Sequence, residues 1–136
     1  MGALKVRVVT PDRLIFDGVA TGVLAKGVLG QFKILPRHLP MVSLLGVGEL
    51  RIDVDMADGA RYIAIDEGVL EVSNDVVTIL ANDALAAEDI DIARLQMELE
   101  RQERKKQNIK SREEQVRQEV EINKLMNQIR VGQRRK

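Results

Sequence analysis

The sequence predicts a β-rich body followed by two helices, and three observations carry that reading. All glycines except Gly132, and all three prolines, precede residue 94. The apolar residues recur with period two before about residue 86 and with helical spacing after it. The charge divides near the same place: residues 1–93 hold 8 Lys+Arg against 14 Asp+Glu, and residues 94–136 hold 13 against 7. A formally neutral chain is therefore an acidic body carrying a basic arm, which is a pattern that calls for a partner.

The body reads as short strands. Leu4, Val6 and Val8 alternate with Lys5 and Arg7, which places the apolar set on one face, and Thr10-Pro11-Asp12 supplies turn chemistry. Leu50, Ile52 and Val54 alternate with Arg51, Asp53 and Asp55. Asp58-Gly59 is a hairpin signal before Arg61–Ile65. Gly68–Val72 and Val76–Ala81 flank the turn residues Ser73-Asn74-Asp75. Closely spaced turns with no helical pattern between them predict a β-sandwich or barrel.

From about Ala86 the period changes. Ile90, Ala93 and Met97 share a helical face, with Leu99 a little off it, and Glu88 and Asp89 stand where a first turn favours negative charge. The apolar pattern lapses over Arg101–Asn108 and resumes after Ser111, which has capping-box spacing to Glu114. Val116, Val120, Ile122, Leu125, Met126 and Ile129 form a narrow stripe on the second helix. Two helices joined near Gln107–Lys110 make a hairpin, and so thin a stripe holds it against the body by only a few kcal/mol.

Composition limits the function. Phe16, Phe32 and Tyr62 are the only aromatics, so aliphatic side chains fill the core. The absence of cysteine removes any disulfide framework or thiolate metal site, in keeping with a reducing compartment. No apolar run approaches the roughly 18–20 residues that span a bilayer, and Met1–Gly18 is too charged for a signal peptide. The expectation is a soluble or peripherally attached protein.

No catalytic constellation emerges. His38, the single histidine, has no nucleophile or carboxylate motif beside it and reads as a structural or interface residue. There is no P-loop, dinucleotide fingerprint or metal spacing. Asp89 and Asp91, two apart, cannot face one another as an acid–base pair. The basic run Arg101, Arg104, Lys105, Lys106, Lys110 and Arg112 lacks interleaved aromatics and is mixed with glutamates, which argues against nucleic acid and for an acidic protein surface. The pattern alone leaves room for a free-standing sandwich adaptor, whose hairpin binds an acidic protein or nucleic acid, and for a small nucleotide sensor.

The stretch Gly30-Gln31-Phe32-Lys33-Ile34-Leu35-Pro36-Arg37-His38-Leu39-Pro40-Met41 resembles the G-x-x-G-I-L-P-x-H-x-P-L loop of the epsilon subunit of F-type ATP synthases. Gly48-Glu49-Leu50, Gly68-Val69-Leu70-Glu71-Val72, Val76–Ala81 and Glu88-Asp89-Ile90-Asp91 follow in that family's order. The resemblance covers nearly the whole chain. Phe32 and Lys33 stand where a glycine and a leucine usually precede Ile-Leu-Pro, and Arg37 replaces a glycine.

The resemblance implies a ten-stranded β-sandwich over residues 1–86 and a C-terminal two-helix hairpin over 87–136. It also implies a non-catalytic rotor subunit that binds the gamma subunit and the ring of c subunits, with Gln31, Pro36, His38 and Pro40 at the rotor interface. The membrane is met only through the complex, on the cytoplasmic side of the inner membrane. The hairpin is the family's regulatory arm: extended, it enters the alpha–beta head and blocks hydrolysis, with Arg112, Arg117, Lys124 and Arg130 meeting an acidic loop of beta. No cofactor is implied except regulatory ATP. The family's nucleotide motif corresponds to Ile90-Asp91-Ile92-Ala93-Arg94-Leu95, with Asp91 on the adenosine and Arg94 and Arg101 on phosphates. Leu95 replaces an alanine there, and Lys124 and Gln128 stand in place of arginines on the second helix.

Overall fold

Alternation of apolar and polar residues dictates the first part of the molecule. The computed structural model describes residues 2–55 and 59–134. It contains β1 (Leu4–Thr10), β2 (Arg13–Ala20), β3 (Gly22–Gly27), β4 (Gly30–Ile34), β5 (Met41–Leu45), β6 (Gly48–Asp55), β7 (Gly59–Ser73) and β8 (Val76–Ala86). A 3-10 turn, Ala87–Asp89, leads to α1 (Ile92–Gln107) and α2 (Arg112–Gly132).

The strands run in the order β2-β1-β8-β7-β5-β3-β4, and β6 closes the gap by pairing with β3 and β7. β7 belongs to two layers. Its first part, Gly59–Ile65, pairs with β6, and its last part, Gly68–Val72, pairs with β5. β8 follows it through both. At the corner Glu67 adopts φ 53, and a Cβ on Gly68 would stand 2.4 Å from the Leu80 carbonyl oxygen. A left-handed residue and a bare backbone let the paired strands change layer without breaking.

This corrects the expected ten strands to eight among the described residues. Counting each long strand once per layer recovers the expected number. Between the layers, Leu4, Val6, Val8 and Ile52 are wholly buried, as the alternation predicts, and Ile34, Leu70, Val77 and Ile79 join them. Val54, expected on the same face as Ile52, is only half-buried near the strand end.

Turn chemistry also falls where the sequence places it. Asn74 and Asp75 take φ 51 and φ 62, the left-handed pair that a two-residue hairpin needs to match strand twist. Asp58 of the Asp58-Gly59 signal lies outside the described residues, but β6 and β7 pair antiparallel as a hairpin requires.

The helices differ from expectation in phase. Ile90 belongs to the turn before α1, which begins at Ile92, so Ala93 and Met97 face solvent rather than the body. Ile92 and Leu95 pack inward instead, against a second cluster of Ala64, Ala87, Ile90 and Val131. Glu88 and Asp89 occupy the 3-10 turn, and no acidic residue lies in the first turn of α1. Asp91 caps that helix, its Oδ1 accepting from the Arg94 N–H at 3.1 Å. Ser111 occupies the cap position of α2 without a side-chain hydrogen bond, so the capping box is not formed. Its carbonyl instead accepts from Gln115 N–H at 3.0 Å, and the Gln115 amide reaches the Ile109 carbonyl at 3.0 Å.

Along α2 the apolar stripe divides into two parts. Leu125 and Ile129 are buried, as is Val131, whereas Val116, Val120 and Met126 are about half exposed. The C-terminal half therefore lies on the body and the N-terminal half lies against α1. A Gln118 amide to Gln102 hydrogen bond and a Lys106–Glu119 ion pair at 3.2 Å join the two helices.

Candidate functional site

The first surface of interest is where the arm lies down. Val131 is fully buried between Ala64, Ala87 and Ile90, and Gly132 lets the helix approach: a Cβ there would meet Ile90 Cγ2 at 2.8 Å. Three polar contacts surround this apolar seat. Asn127 Nδ2 donates to the Gly48 carbonyl at 3.0 Å and is buried. Lys124 Nζ lies 3.4 Å from Asp66 Oδ2. Arg134 Nε lies 2.9 Å from Glu49 Oε2, with its guanidinium 5.3 Å from the centre of the Tyr62 ring. Partly exposed ion pairs contribute about 1 kcal/mol or less, whereas a buried aliphatic side chain contributes about 1.5–3 kcal/mol. The apolar seat dominates, and the ion pairs fix the register.

Sequence reasoning missed Asp66, Glu49, Asn127 and Arg134 as arm-holding residues. Their partners lie tens of positions away, so no local pattern marks them.

The basic residues assigned to the arm do not act as one group in this form. Arg112, Arg117 and Arg130 are exposed, while Lys124 is half-buried and committed to Asp66. With the arm docked, three of the four charges face solvent and one is held by the body.

Three of the four residues of the nucleotide motif are already engaged. Ile90 is buried beneath α2, and the Asp91 carboxylate caps α1. Arg94 is exposed. Arg101 forks onto Glu98 at 2.8 and 3.2 Å. The Arg101 hydrogen bond holds the Glu98 carboxyl below its usual value, and Glu98 in turn raises Arg101. Lys124 and Gln128 line a cavity of about 10 Å³ with Asp66 and Asp83, room for one water molecule. Asp91, Arg94 and Arg101 do not line it.

The β4–β5 loop, residues 35–40, is pinned at one end of the sandwich. Arg37 adopts φ 70 and its N–H donates to Asp75 Oδ1 at 2.6 Å. His38 Nδ1–H donates to the Leu39 carbonyl at 2.6 Å, so the ring is held by its own loop. Pro36 is half-buried and Pro40 exposed, while Leu35 and Leu39 project at 50% and 78% exposure. Gln31 is exposed at the start of β4, on a different strand end from this loop. The structure therefore separates Gln31 from Pro36, His38 and Pro40. The loop lies beyond the C-terminal end of β7, and the arm seats on the N-terminal half of that strand.

A third surface was invisible in the sequence. Strand register aligns Leu44 with Val69, Val69 with Leu80, Leu80 with Val9, and Val9 with Leu14. Leu44, Leu80 and Leu14 are more than half exposed. They form an apolar row across five strands on the outer face of the layer that the arm does not cover. No described helix is long and apolar enough to cross a membrane.

Comparison with known proteins places this geometry. Residues 3–87 match the family described as ATP synthase, Delta/Epsilon chain, beta-sandwich domain. The ATP synthase epsilon chain of Exiguobacterium sp. is 41% identical over 133 residues, which is 96% of each chain. Among solved structures, a chain of the Euglena gracilis mitochondrial ATP synthase (OSCP/F1/c-ring) superposes with TM-score 0.77 at 20% identity, over 91% of this chain and 78% of that one. A chain of the Tetrahymena thermophila mitochondrial ATP synthase (central stalk/c-ring) gives TM-score 0.61 at 16% identity, over 95% and 96%. At those identities the structures speak for the fold alone. The match through the sandwich and the whole-length relative together show that the chain belongs to the ATP synthase epsilon family.

Proposed function

We propose that the chain is the non-catalytic epsilon subunit of a bacterial F-type ATP synthase: a central-stalk element that couples rotation to ion flow and restrains ATP hydrolysis through its helical arm. The whole-length likeness to an epsilon chain carries this reading. The geometry supports it by supplying three separate surfaces. The row from Leu44 to Leu14 suits a stable protein partner, and we assign it to gamma. The pinned loop with exposed Leu35 and Leu39 suits the c-ring. The arm is held by a small apolar seat and ion pairs, so a modest free energy separates docked from extended forms. The subunit then reaches the membrane surface through the ring rather than by a span of its own.

The test is copurification with gamma. The full chain should come down with gamma in near-equal amounts, and Leu80→Asp should weaken the complex at least about tenfold, because a carboxylate would be stripped of water inside an apolar contact. Unchanged binding by this variant would remove the row from the interface. Failure of the unaltered chain to bind would overturn the rotor reading itself.

We further propose ATP as the regulatory ligand of Ile90, Asp91, Arg94 and Arg101. Occupancy would require Arg101 to exchange Glu98 for phosphate, an exchange between exposed partners. Replacing Asp91 and Arg94 together by Ala should abolish ATP-dependent compaction of the isolated chain, as read by small-angle scattering. Asp91→Ala also removes the α1 cap, so Asp91→Ser with Arg94→Ala is the necessary companion, since Ser caps as well as Asp. Compaction that persists in both double variants would place the nucleotide elsewhere.

A further inference from the structure

The largest of the described cavities lies where the arm meets the sandwich, away from the nucleotide motif. Its volume is about 310 Å³. Lys26 of β3 and Gln31 of β4 form one wall, and Asn123, Asn127, Arg130 and Arg134 of the arm form the other. Glu49 lines the cavity as well and is the only carboxylate among its described lining residues. That carboxylate is already paired with Arg134 at 2.9 Å. Among the described residues neither Lys26 nor Arg130 has an ion-pair partner, so the described lining carries three cations against one carboxylate.

The walls are built. Asn127 is 5% exposed and fixed on the Gly48 carbonyl at 3.0 Å. Gly48 is bare because the Lys26 stem lies across it: a Cβ there would come 2.7 Å from Lys26 Cδ. The backbone of β6 thus seats a lysine on one side and the arm's asparagine on the other. Gathering like charges around a cavity is unfavourable in an empty site and favourable around an anion.

We propose that this cavity binds a compact multivalent anion of the phosphate class, held between Lys26 of the sandwich and Arg130 and Arg134 of the arm. The lining offers ammonium, guanidinium and amide donors suited to phosphate oxygens, and no aromatic ring on which a base would stack. The volume is at the lower end for small-molecule sites, which suits pyrophosphate or a small phosphorylated metabolite better than a nucleotide. None of Ile90, Asp91, Arg94 and Arg101 lines it, so it is distinct from the nucleotide motif. Because the two walls belong to different parts of the chain, the site exists only while the arm is docked. An anion bound there stabilises the docked arm by linkage.

Isothermal titration of the isolated full chain with pyrophosphate at low ionic strength tests this without reference to the rotor. One site per chain is expected, weakened by about tenfold or more in Lys26→Ala and in Arg130→Ala, each of which removes a charged contact from an exposed position. Arg104→Ala, at an exposed position outside both this cavity and the nucleotide motif, should bind as the unaltered chain does. Pyrophosphate should also slow amide exchange in residues 121–132, and inorganic phosphate should bind more weakly because it bridges the walls less completely. Absence of binding at millimolar pyrophosphate would overturn the proposal. So would affinity unchanged in both charge variants, or affinity lost in Arg104→Ala alone.

Discussion

Replacing Val131 by Asp is expected to free the C-terminal half of α2 from the sandwich while the strands stay folded. Val131 is wholly buried, and Ala64, Ala87 and Ile90 around it carry no charge. The substitution loses about 1.5–2 kcal/mol of apolar burial. It also asks a carboxylate to leave water with no cation in its cluster, which brings the total above about 3 kcal/mol. The Lys124–Asp66 and Arg134–Glu49 pairs, both partly exposed, cannot compensate. The sandwich keeps a separate core of Leu4, Val6, Ile52, Leu70 and their neighbours. Amide exchange checks the outcome: protection should collapse in residues 121–132 and persist in β1, β7 and β8. Full protection of α2 in the variant would mean that the seat around Val131 does not hold the arm.

Gly68→Ala is expected to destabilise the sandwich itself by about 3 kcal/mol or more, because the collision cannot be relieved by a side chain moving aside. The new Cβ would stand 2.4 Å from the Leu80 oxygen and 2.9 Å from Ala81 Cα, both backbone atoms of the strand paired with it. That position is where β7 passes from one layer to the other, so separating the strands would open the corner. For a domain of this size the change lowers Tm by roughly 12–20 °C. Gly46→Ala is the control. Nothing lies within 4 Å of its Cβ position, so its melting should match the parent within about 0.5 kcal/mol. Similar melting of both variants would contradict the corner geometry.

Which features were legible in the sequence follows from how local their causes are. Alternation at Leu4, Val6 and Val8 fixes a buried face, because side-chain direction in a strand depends only on parity. The Asn74-Asp75 turn was legible for the same reason, since its left-handed angles suit those residues. The strand number was not legible, because continuity through the Glu67-Gly68 corner depends on pairing with β8. A helical period counted from Ile90 points the wrong face of α1 inward, since the helix begins at Ile92. Helical phase depends on the first residue, and the Asp91 cap sets that start.

The arm's charges were visible, but not their use. Lys124 looks like Arg117 in sequence, yet one meets Asp66 and the other faces solvent. The apolar row from Leu44 to Leu14 and the cavity between Lys26 and Arg130 each combine elements distant along the chain. Strand register and arm docking create them, and neither is written in any single stretch.

ATP hydrolysis by an alpha–beta–gamma head, with the full chain or residues 1–87 added, tests the central claim most directly. Both forms should bind gamma, since the sandwich carries the apolar row. Only the full chain should slow hydrolysis, and replacing Arg112, Arg117, Lys124 and Arg130 together by Ala should relieve that inhibition while gamma binding stays intact. Equal inhibition by both forms, or gamma binding by neither, would contradict a rotor subunit that brakes through its arm.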